Sequence, residues 1–236
     1  MTSTTPTDHW LCWPSDGQPQ VRLALMPERA AFEPDTRTLF VADVHLGKAA
    51  VFRARGLPVP HGTSARSLAR LSQALNRSQA RQLVVLGDFL HARESHAPAT
   101  LAALSAWRER HPGLSCVVIE GNHDVHAGQV HASFGIQTST QAHVQGALRG
   151  VHQPPDDPAQ APPGALTLAG HVHPVVGLRG RTDRLRLPIF WLHGPVLTLP
   201  AFGEFTGGFE VKPSRHPDGQ CFVIGDQAVL PLLTRR

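Results

Sequence analysis

The 236-residue sequence lacks the features that mark membrane, secreted and disulfide-bonded proteins. No apolar run approaches the roughly 20 residues that a transmembrane helix needs. Residues 1–14 lack the basic start and apolar stretch of a signal peptide. Cys12, Cys116 and Cys221 are isolated, odd in number and without CxxC spacing, so they predict no disulfide framework. We therefore expect a cytoplasmic protein with no membrane segment, whose cysteines pack as small core hydrophobes.

Lysine is also scarce, because Lys48 and Lys212 are the only two, and arginine supplies nearly all of the formal net charge of +4. A bias toward Arg, Ala and Pro often reflects genomic base composition, so this charge is weak support for a nucleic-acid partner. Hydrophobic residues make up 41% of the chain and charged residues 17%. That balance allows a packed core and argues against global disorder.

Strands alternate with helices in the first half of the chain, as hydrophobic periodicity predicts. Buried strands are predicted over residues 38–42, 82–86 and 115–119. Between them, one helix is predicted to begin at a Thr63 or Ser64 cap, and a second to run from Ala97-Pro98 to about Arg110. This rhythm is typical of α/β folds, which carry functional residues at the carboxyl ends of parallel strands.

Short apolar runs separated by Gly and Pro follow from about residue 141 and predict a β-rich second half. We expect residues 1–19 to form a loose N-terminal leader and residues 20–236 to form a single domain. The proline-rich segment 153–164 is expected to be a surface loop that rims the functional site.

Four short clusters, each following an apolar run, carry most of the chemistry: Asp43-Val44-His45, Gly87-Asp88-Phe89-Leu90-His91, Gly121-Asn122-His123-Asp124 and Gly170-His171-Val172-His173. Residues two apart at a strand end share one face, so a DxH or HxH pair can hold one ion together. Carboxylate, amide and imidazole donors in combination suit borderline divalent ions such as Mn, Fe, Co, Ni or Zn. We therefore predict a two-metal site that promotes the attack of water on phosphorus.

Each cluster alone also has an ordinary structural interpretation. Asp88 could cap a helix after its strand, and Asn122 could serve only its turn. A lone HxH pair, such as His171 and His173, is often a core or surface pair. The presence of all four clusters in one chain favours the metal site.

The clusters, in this order, resemble the DxH, GDxx, GNH[DE] and GHxH motifs of the calcineurin-like metallophosphoesterase superfamily, which has one further histidine before the last motif. We assign His152 to that position, with His143 as the competitor. Residues 42–49, 52–60 and 200–209 resemble the ligase-associated DNA damage response phosphoesterases. Those are small bacterial enzymes associated with a DNA ligase and a helicase, and described as Mn-dependent phosphodiesterases or endonucleases.

The resemblance implies a four-layer α/β/β/α sandwich with two mixed sheets and a site with two divalent ions, Mn being expected and Zn, Fe, Co or Ni possible. One ion would be held by Asp43, His45, Asp88 and His173, and the other by Asp88, Asn122, His152 and His171. The two ions would share a hydroxide that attacks phosphorus. His123 would protonate the leaving oxygen, or stabilise the transition state, with Asp124 orienting its ring.

One position departs from the broad superfamily, because His91 stands where many members carry an acidic residue, with Arg93 two residues later. The ligase-associated subgroup has a histidine there too. His91 is expected either to touch the substrate phosphate or to brace a metal ligand. Arg53 and Arg55 follow His45 closely, so we expect them to face a phosphodiester backbone.

Six histidines outside these motifs are expected to be solvated: His9, His96, His111, His131, His193 and His216. The sequence thus favours a dinuclear phosphodiesterase, with DNA as the expected substrate and DNA repair as the expected setting. The alternatives are a phosphatase or pyrophosphohydrolase acting on a small phosphorylated metabolite, and a non-catalytic scaffold of the same fold. The filled ligand positions argue against the scaffold.

Overall fold

The computed structural model describes residues 5–14, 20–60, 62–179 and 184–233, and its strands form two mixed sheets. The first sheet has seven strands in chain order: β1 (His9–Trp13), β2 (Val21–Met26), β3 (Ala30–Glu33), β4 (Thr38–Val41), β5 (Gln82–Leu86), β6 (Ser115–Ile119) and β7 (Ile136–Ser139). Strands β1 to β4 pair antiparallel, whereas β4 to β7 pair parallel. The parallel part brings the carboxyl ends of β4, β5 and β6 to one edge.

The second sheet has nine strands: β8 (His143–Gln145), β9 (Leu148–Gly150), β10 (Leu166–Ala169), β11 (Pro174–Arg179), β12 (Arg184–His193), β13 (Val196–Thr198), β14 (Phe209–Glu210), β15 (Gly219–Ile224) and β16 (Val229–Pro231). Its main path runs β14-β11-β12-β13-β10-β9-β8, and β15 pairs with β12 and β16. Strand β10 lies parallel to both β9 and β13.

Among the described residues, four α-helices lie in the first part of the chain: α1 (Lys48–Ala54), α2 (Thr63–Ser78), α3 (Pro98–Arg110) and α4 (Asn122–Ala127). Leu71 of α2 and Trp107 of α3 are fully buried in a core shared with Leu39 and Val85 of the first sheet. After Ala127, the described residues contain helical structure only as single 3₁₀ turns. No helix in the described part is long and apolar enough to cross a membrane.

A second core lies between the two sheets. Phe40 of the first sheet packs with Leu168, Phe190 and Leu197 of the second, and all four are 0% exposed. Burying one such side chain contributes about 1.5–3 kcal/mol. The α/β sandwich of two mixed sheets predicted from the sequence is therefore confirmed.

The N-terminal leader differs from the expectation, because residues His9–Trp13 form strand β1 and pair antiparallel with β2. The physical reason is the alternation of buried and exposed side chains, since Leu11 packs in the core and its neighbours Trp10 and Cys12 are exposed. Cys12 is thus exposed, and only Cys116 and Cys221 are buried as predicted.

The starts of two helices also differ from the sequence predictions. Helix α1 was not predicted, and α2 begins after Gly62 rather than at a Thr63 or Ser64 cap. Both N-caps, Gly47 and Gly62, adopt left-handed backbone without a side-chain cap, so neither start carries the usual Ser, Thr or Asp signal. Strand β14 is only two residues long, because Gly207 and Gly208 directly precede it.

Candidate metal centre

The functional side chains gather where the strands of both sheets end. Asp43 follows β4, Asp88 follows β5, and Asn122 opens α4 just after β6. His171 and His173 follow β10 of the second sheet. The backbone N–H of His171 donates to the Asp43 carboxylate at 2.9 Å, so the two sheets meet directly at this point.

The backbone is strained at five of these positions. Nine described non-glycine residues have positive φ, and five of them belong to the predicted site: Asp43 (54°), His45 (48°), Asp88 (51°), His171 (67°) and His173 (51°). Such a conformation costs on the order of 1–3 kcal/mol per residue and persists where the surroundings impose it, commonly at functional sites.

Two glycines make room for the ligand side chains. A Cβ at Gly87 would collide with the imidazole of His152, and a Cβ at Gly121 would collide with the carboxylate of Asp88. Gly87 also has φ of +79°, which a side chain would strain. The glycine in each motif is therefore required by the close approach of a neighbouring site residue.

His152 and Asn122 lie beside Asp88. Nδ1 of His152 lies 3.0 Å from the carbonyl oxygen of Leu86, so the ring proton is placed on Nδ1. Nε2 then faces the Asn122 Oδ1 at 3.0 Å and the Asp88 Oδ1 at 3.6 Å. A lone pair and two acceptor oxygens converge there, which is the arrangement that a cation stabilises.

His45 and His173 complete the opposite side. The Nε2 atoms of both rings are buried and make no hydrogen bond to any described residue. The first lies 3.8 Å from Asp88 Oδ2, and the second lies 3.3 Å from Asp43 Oδ1. Burial, together with the nearby Lys48, lowers the pKa of His45 far below its ordinary value. An uncharged imidazole with an unused nitrogen is the form that binds a metal ion.

In the part of the chain that the structure describes, three groups of ligand atoms lie close enough together to hold an ion: Asp43, His45 and His173; Asp43, Asp88 and His152; and His45, His91 and His123. The first two groups combine residues that the sequence assigned to the two ions. Hard carboxylate oxygens mixed with imidazole nitrogens fit divalent ions of the Mn to Zn series. His143, the competitor of His152, lies in β8 and contacts Gln145 instead.

His123 and Asp124 are arranged differently from the expectation. The Asp124 carboxylate accepts from the backbone N–H groups of Leu90 (2.8 Å), Gly121 (3.0 Å) and Phe89 (3.3 Å). The Nδ1 of His123 lies 3.0 Å from the carbonyl oxygen of His91. The partner that orients the ring is therefore a backbone carbonyl, because the acidic side chain is used to fix the loop around Asp88. Burial raises the pKa of Asp124 in spite of these three hydrogen bonds.

His91 is also part of the cluster. Its Nδ1 lies 3.3 Å from Nδ1 of His45, and its ring stacks on that of His123 at a centroid distance of 4.5 Å. Burial, with the nearby positive charge of Lys48, lowers the pKa of His91 to about 4. If Nε2 of His45 binds an ion, Nδ1 of His45 carries the ring proton and donates it to Nδ1 of His91. This contact supports the expectation that His91 braces a metal ligand.

The arginines that follow the first motif divide into two kinds. Arg53 donates to the carbonyl oxygen of Pro60 at 3.1 Å and so holds its own loop. Arg55 is exposed and close enough to His91 to lower the pKa of that ring. Lys48 was not assigned a role from the sequence, although its charge acts on Asp43, Asp88 and His45. The only available signal was its place three residues after His45.

Two of the histidines expected to be solvated lie in a structured cluster instead. His193 ends strand β12 and stacks on Trp191 at a centroid distance of 5.6 Å, with 13° between the ring planes. His216 packs edge-on against both rings. The sequence offered no signal for this cluster, because Trp191 and His193 have the spacing of ordinary strand residues.

Comparison with known proteins places this geometry in context. The sequence profile of the calcineurin-like phosphoesterases matches residues 36–143, which hold the first three motifs. No curated protein matches the chain. Among solved structures, the Pseudomonas putida nuclease MPE is 40% identical, with a TM-score of 0.80, and the match covers 96% of this chain and 100% of the nuclease. The phosphoesterase Yfce from E. coli is 15% identical, with a TM-score of 0.38, and the match covers 81% of this chain and 95% of Yfce.

Proposed function

Because the chain belongs to the calcineurin-like phosphoesterase family, we propose that it is a phosphodiesterase with two metal ions whose substrate is DNA. The family and the nuclease relative make it a metal-dependent phosphoesterase. The diester preference, the second ion and the nucleic-acid substrate belong to the proposal.

The observation that carries the proposal is the convergence of atoms that can ligate a metal ion. Two carboxylates and the Nε2 atoms of His45, His152 and His173 face one another at the meeting point of the two sheets. Two of those nitrogens are buried without a hydrogen bond among the described residues, which is costly unless something binds them. Divalent cations would remove that cost.

We assign one ion to Asp43, His45, Asp88 and His173, and the other to Asp88, Asn122, His152 and His171. Asp88 is suited to the shared position because its Oδ2 faces His45 and its Oδ1 faces His152. When bound, the ions activate water and neutralise negative charge on the phosphate.

His123 supplies the proton in this proposal. The carbonyl oxygen of His91 holds a hydrogen on Nδ1 of His123, so the proton that can move is the one on Nε2. Donation of that proton to the leaving oxygen would leave a neutral ring in the tautomer that the carbonyl already favours.

The relative named a nuclease supports nucleic acid as the substrate. The exposed Arg55 next to the cluster fits a phosphodiester backbone, whereas Arg53 is used within its loop. Manganese as the physiological ion, a role in DNA repair, association with a ligase and a helicase, and a cytoplasmic location remain predictions from the sequence resemblance and composition.

The test is an assay of chelator-stripped protein supplied with Mn, Zn, Mg or no metal. The substrates are methyl p-nitrophenyl phosphate, p-nitrophenyl phosphate and a single-stranded oligonucleotide, and Asp88→Asn protein controls for contaminating nucleases. We expect metal-dependent cleavage of the diester and the oligonucleotide, with the monoester the poorest substrate. A monoester preference would replace the proposal with a phosphatase, and activity without metal would overturn it.

A further inference from the structure

A cavity of about 390 Å³ adjoins the candidate metal centre on the side of His171. Its volume lies within the range of roughly 300–1,000 Å³ that is common for small-molecule sites. His171 and Val172 form the wall nearest the centre. Any group bound in this cavity would therefore lie beside a phosphate held at the centre.

The floor of the cavity is one face of the second sheet. Trp191 and His193 lie two apart in β12, and they pair across the sheet with Thr198 and Val196 of β13. Directly paired residues project to the same side of an antiparallel sheet, and all four line the cavity. The sheet thus presents two aromatic rings stacked on each other, with His216 packed edge-on at 5.1 Å from Trp191 and 5.4 Å from His193.

The opposite rim is the proline-rich loop, which the sequence predicts to lie at the edge of the functional site. Gln153, Pro154, Pro155 and Asp156 line the cavity. Proline fixes its own backbone angle, so this rim loses little conformational freedom when a ligand binds. Phe209, which is 54% exposed, also lines the cavity.

Charge distinguishes this cavity from a second cleft, which adjoins His173. Asp156 is the only Asp, Glu, Lys or Arg among the described residues that line the aromatic cavity. The cleft beside His173 has a volume of about 380 Å³ and is lined by Arg29, Arg70 and Arg186, with Glu204 as its acidic residue. A phosphate is disfavoured next to Asp156, whereas an uncharged aromatic group suits the aromatic cavity.

We propose that the aromatic cavity formed by Trp191, His193, His216, Phe209 and the 153–158 loop is a nucleobase-binding subsite that holds a base next to the scissile phosphate. The proposal rests on the proposed function and specifies how the DNA substrate is bound. Aromatic rings bind bases by stacking, and each stacked base adds about 5- to 150-fold in affinity. Stacking requires an unpaired base, so the subsite favours single-stranded DNA over duplex.

The test combines an altered protein with an altered substrate. Oligonucleotides with one abasic residue placed in turn at each position around the cleavage site are compared with the unmodified strand. For the wild type, we expect one abasic position to raise KM by about 5- to 150-fold. The His193→Ala/His216→Ala variant should raise KM for the unmodified strand by a similar factor. It should respond less than the wild type to that abasic position, because two of the four rings that line the subsite are gone.

Binding without turnover gives a second measurement. Fluorescence anisotropy of a labelled oligonucleotide on the His123→Ala background should reproduce the same non-additive pattern. Trp191→Phe keeps an aromatic ring in β12 and should retain most of the affinity, which separates stacking from loss of the fold. Trp10→Ala, at a 49% exposed tryptophan of the first sheet, is the matched control.

The possible results are distinct. Multiplicative effects of the protein variant and the abasic residue at every position would overturn the subsite, since the base would then bind elsewhere. An active wild type that treats abasic and unmodified strands alike would also overturn the subsite while leaving the phosphodiesterase proposal intact. A wild type inactive on methyl p-nitrophenyl phosphate and on every oligonucleotide would overturn the proposed function itself.

Discussion

The Nδ1 atom of His123 lies 3.0 Å from the carbonyl oxygen of His91, and the two imidazoles stack with their planes 25° apart. The carbonyl fixes one ring nitrogen of His123 as a donor, and the stacked ring fixes the orientation of its plane. Because His91 also contacts Nδ1 of His45 at 3.3 Å, one residue connects the proposed proton donor to a proposed metal ligand.

Removal of the proposed proton donor should slow the chemical step and leave metal binding unchanged. We expect His123→Ala to keep both ions and to lower kcat by roughly 10²- to 10⁴-fold, the usual contribution of a positioned acid or base. The loss should shrink for diesters with very acidic leaving groups, which need no proton. Metal content measured by mass spectrometry and kcat for two leaving groups test this. A parallel fall of metal content and activity would make His123 a ligand instead.

Asp124 should behave as a structural anchor rather than as a partner of His123. Asp124→Asn leaves at least one of three backbone N–H groups without its acceptor, at about 1–3 kcal/mol. For a chain of this size that corresponds to a fall in Tm of roughly 2–12 °C. We expect kcat to fall less than in His123→Ala. An unchanged Tm with a loss of kcat equal to that of His123→Ala would restore the role predicted from the sequence.

The bridging position of Asp88 makes a prediction about metal stoichiometry. Both proposed ions lose a shared anionic ligand in Asp88→Asn, so purified variant protein should hold at most one ion per chain and show no activity. Asp226→Asn, at an exposed carboxylate, should bind metal like the wild type. Two ions retained per chain in the Asp88 variant would remove Asp88 from the shared position.

The metal-free protein should lose stability as the pH falls. Burial lowers the pKa of His91 to about 4 and also lowers those of His45 and His171. The unfolded chain therefore binds protons below about pH 6.5 that the folded chain does not, and the free energy of unfolding decreases between pH 6.5 and about 4. Asp124, with its raised pKa, acts in the opposite direction.

Chemical denaturation at pH 7.5, 6.0 and 5.0 measures this dependence. His91→Asn should flatten the slope, and His126→Asn, at an exposed ring outside the cluster, serves as the matched control. A free energy of unfolding that is constant from pH 7.5 to 5.0 would contradict the effect of burial.

The strand-end motifs were predictable because their chemistry is local. Strands β5 and β6 have the predicted bounds, and parallel pairing alone brings the residues after them, Asp88 and Asn122, to one edge. The partner of His123 was not predictable, because it is a backbone carbonyl 32 residues away whose position depends on tertiary structure. Lys48 was missed because α1 starts from a left-handed glycine and carries no capping signal.

The aromatic cavity could not be predicted from the sequence either. In the sequence, Trp191 and His193 look like ordinary strand residues. Their role in a cavity becomes visible only in the fold, where β13 and the proline-rich loop lie next to them. Sequence spacing predicts which residues share a face of one strand, but it does not show which loop covers that face.

The central claim is that hydrolysis depends on two divalent ions held by this set of carboxylates and imidazoles. The most direct measurement is the rate of methyl p-nitrophenyl phosphate hydrolysis by chelator-stripped protein as Mn²⁺ is added in known amounts per chain, under conditions of tight binding. We predict negligible activity without metal and a rise that reaches its plateau at two ions per chain. Full activity in the stripped protein, or a plateau at one ion, would contradict it.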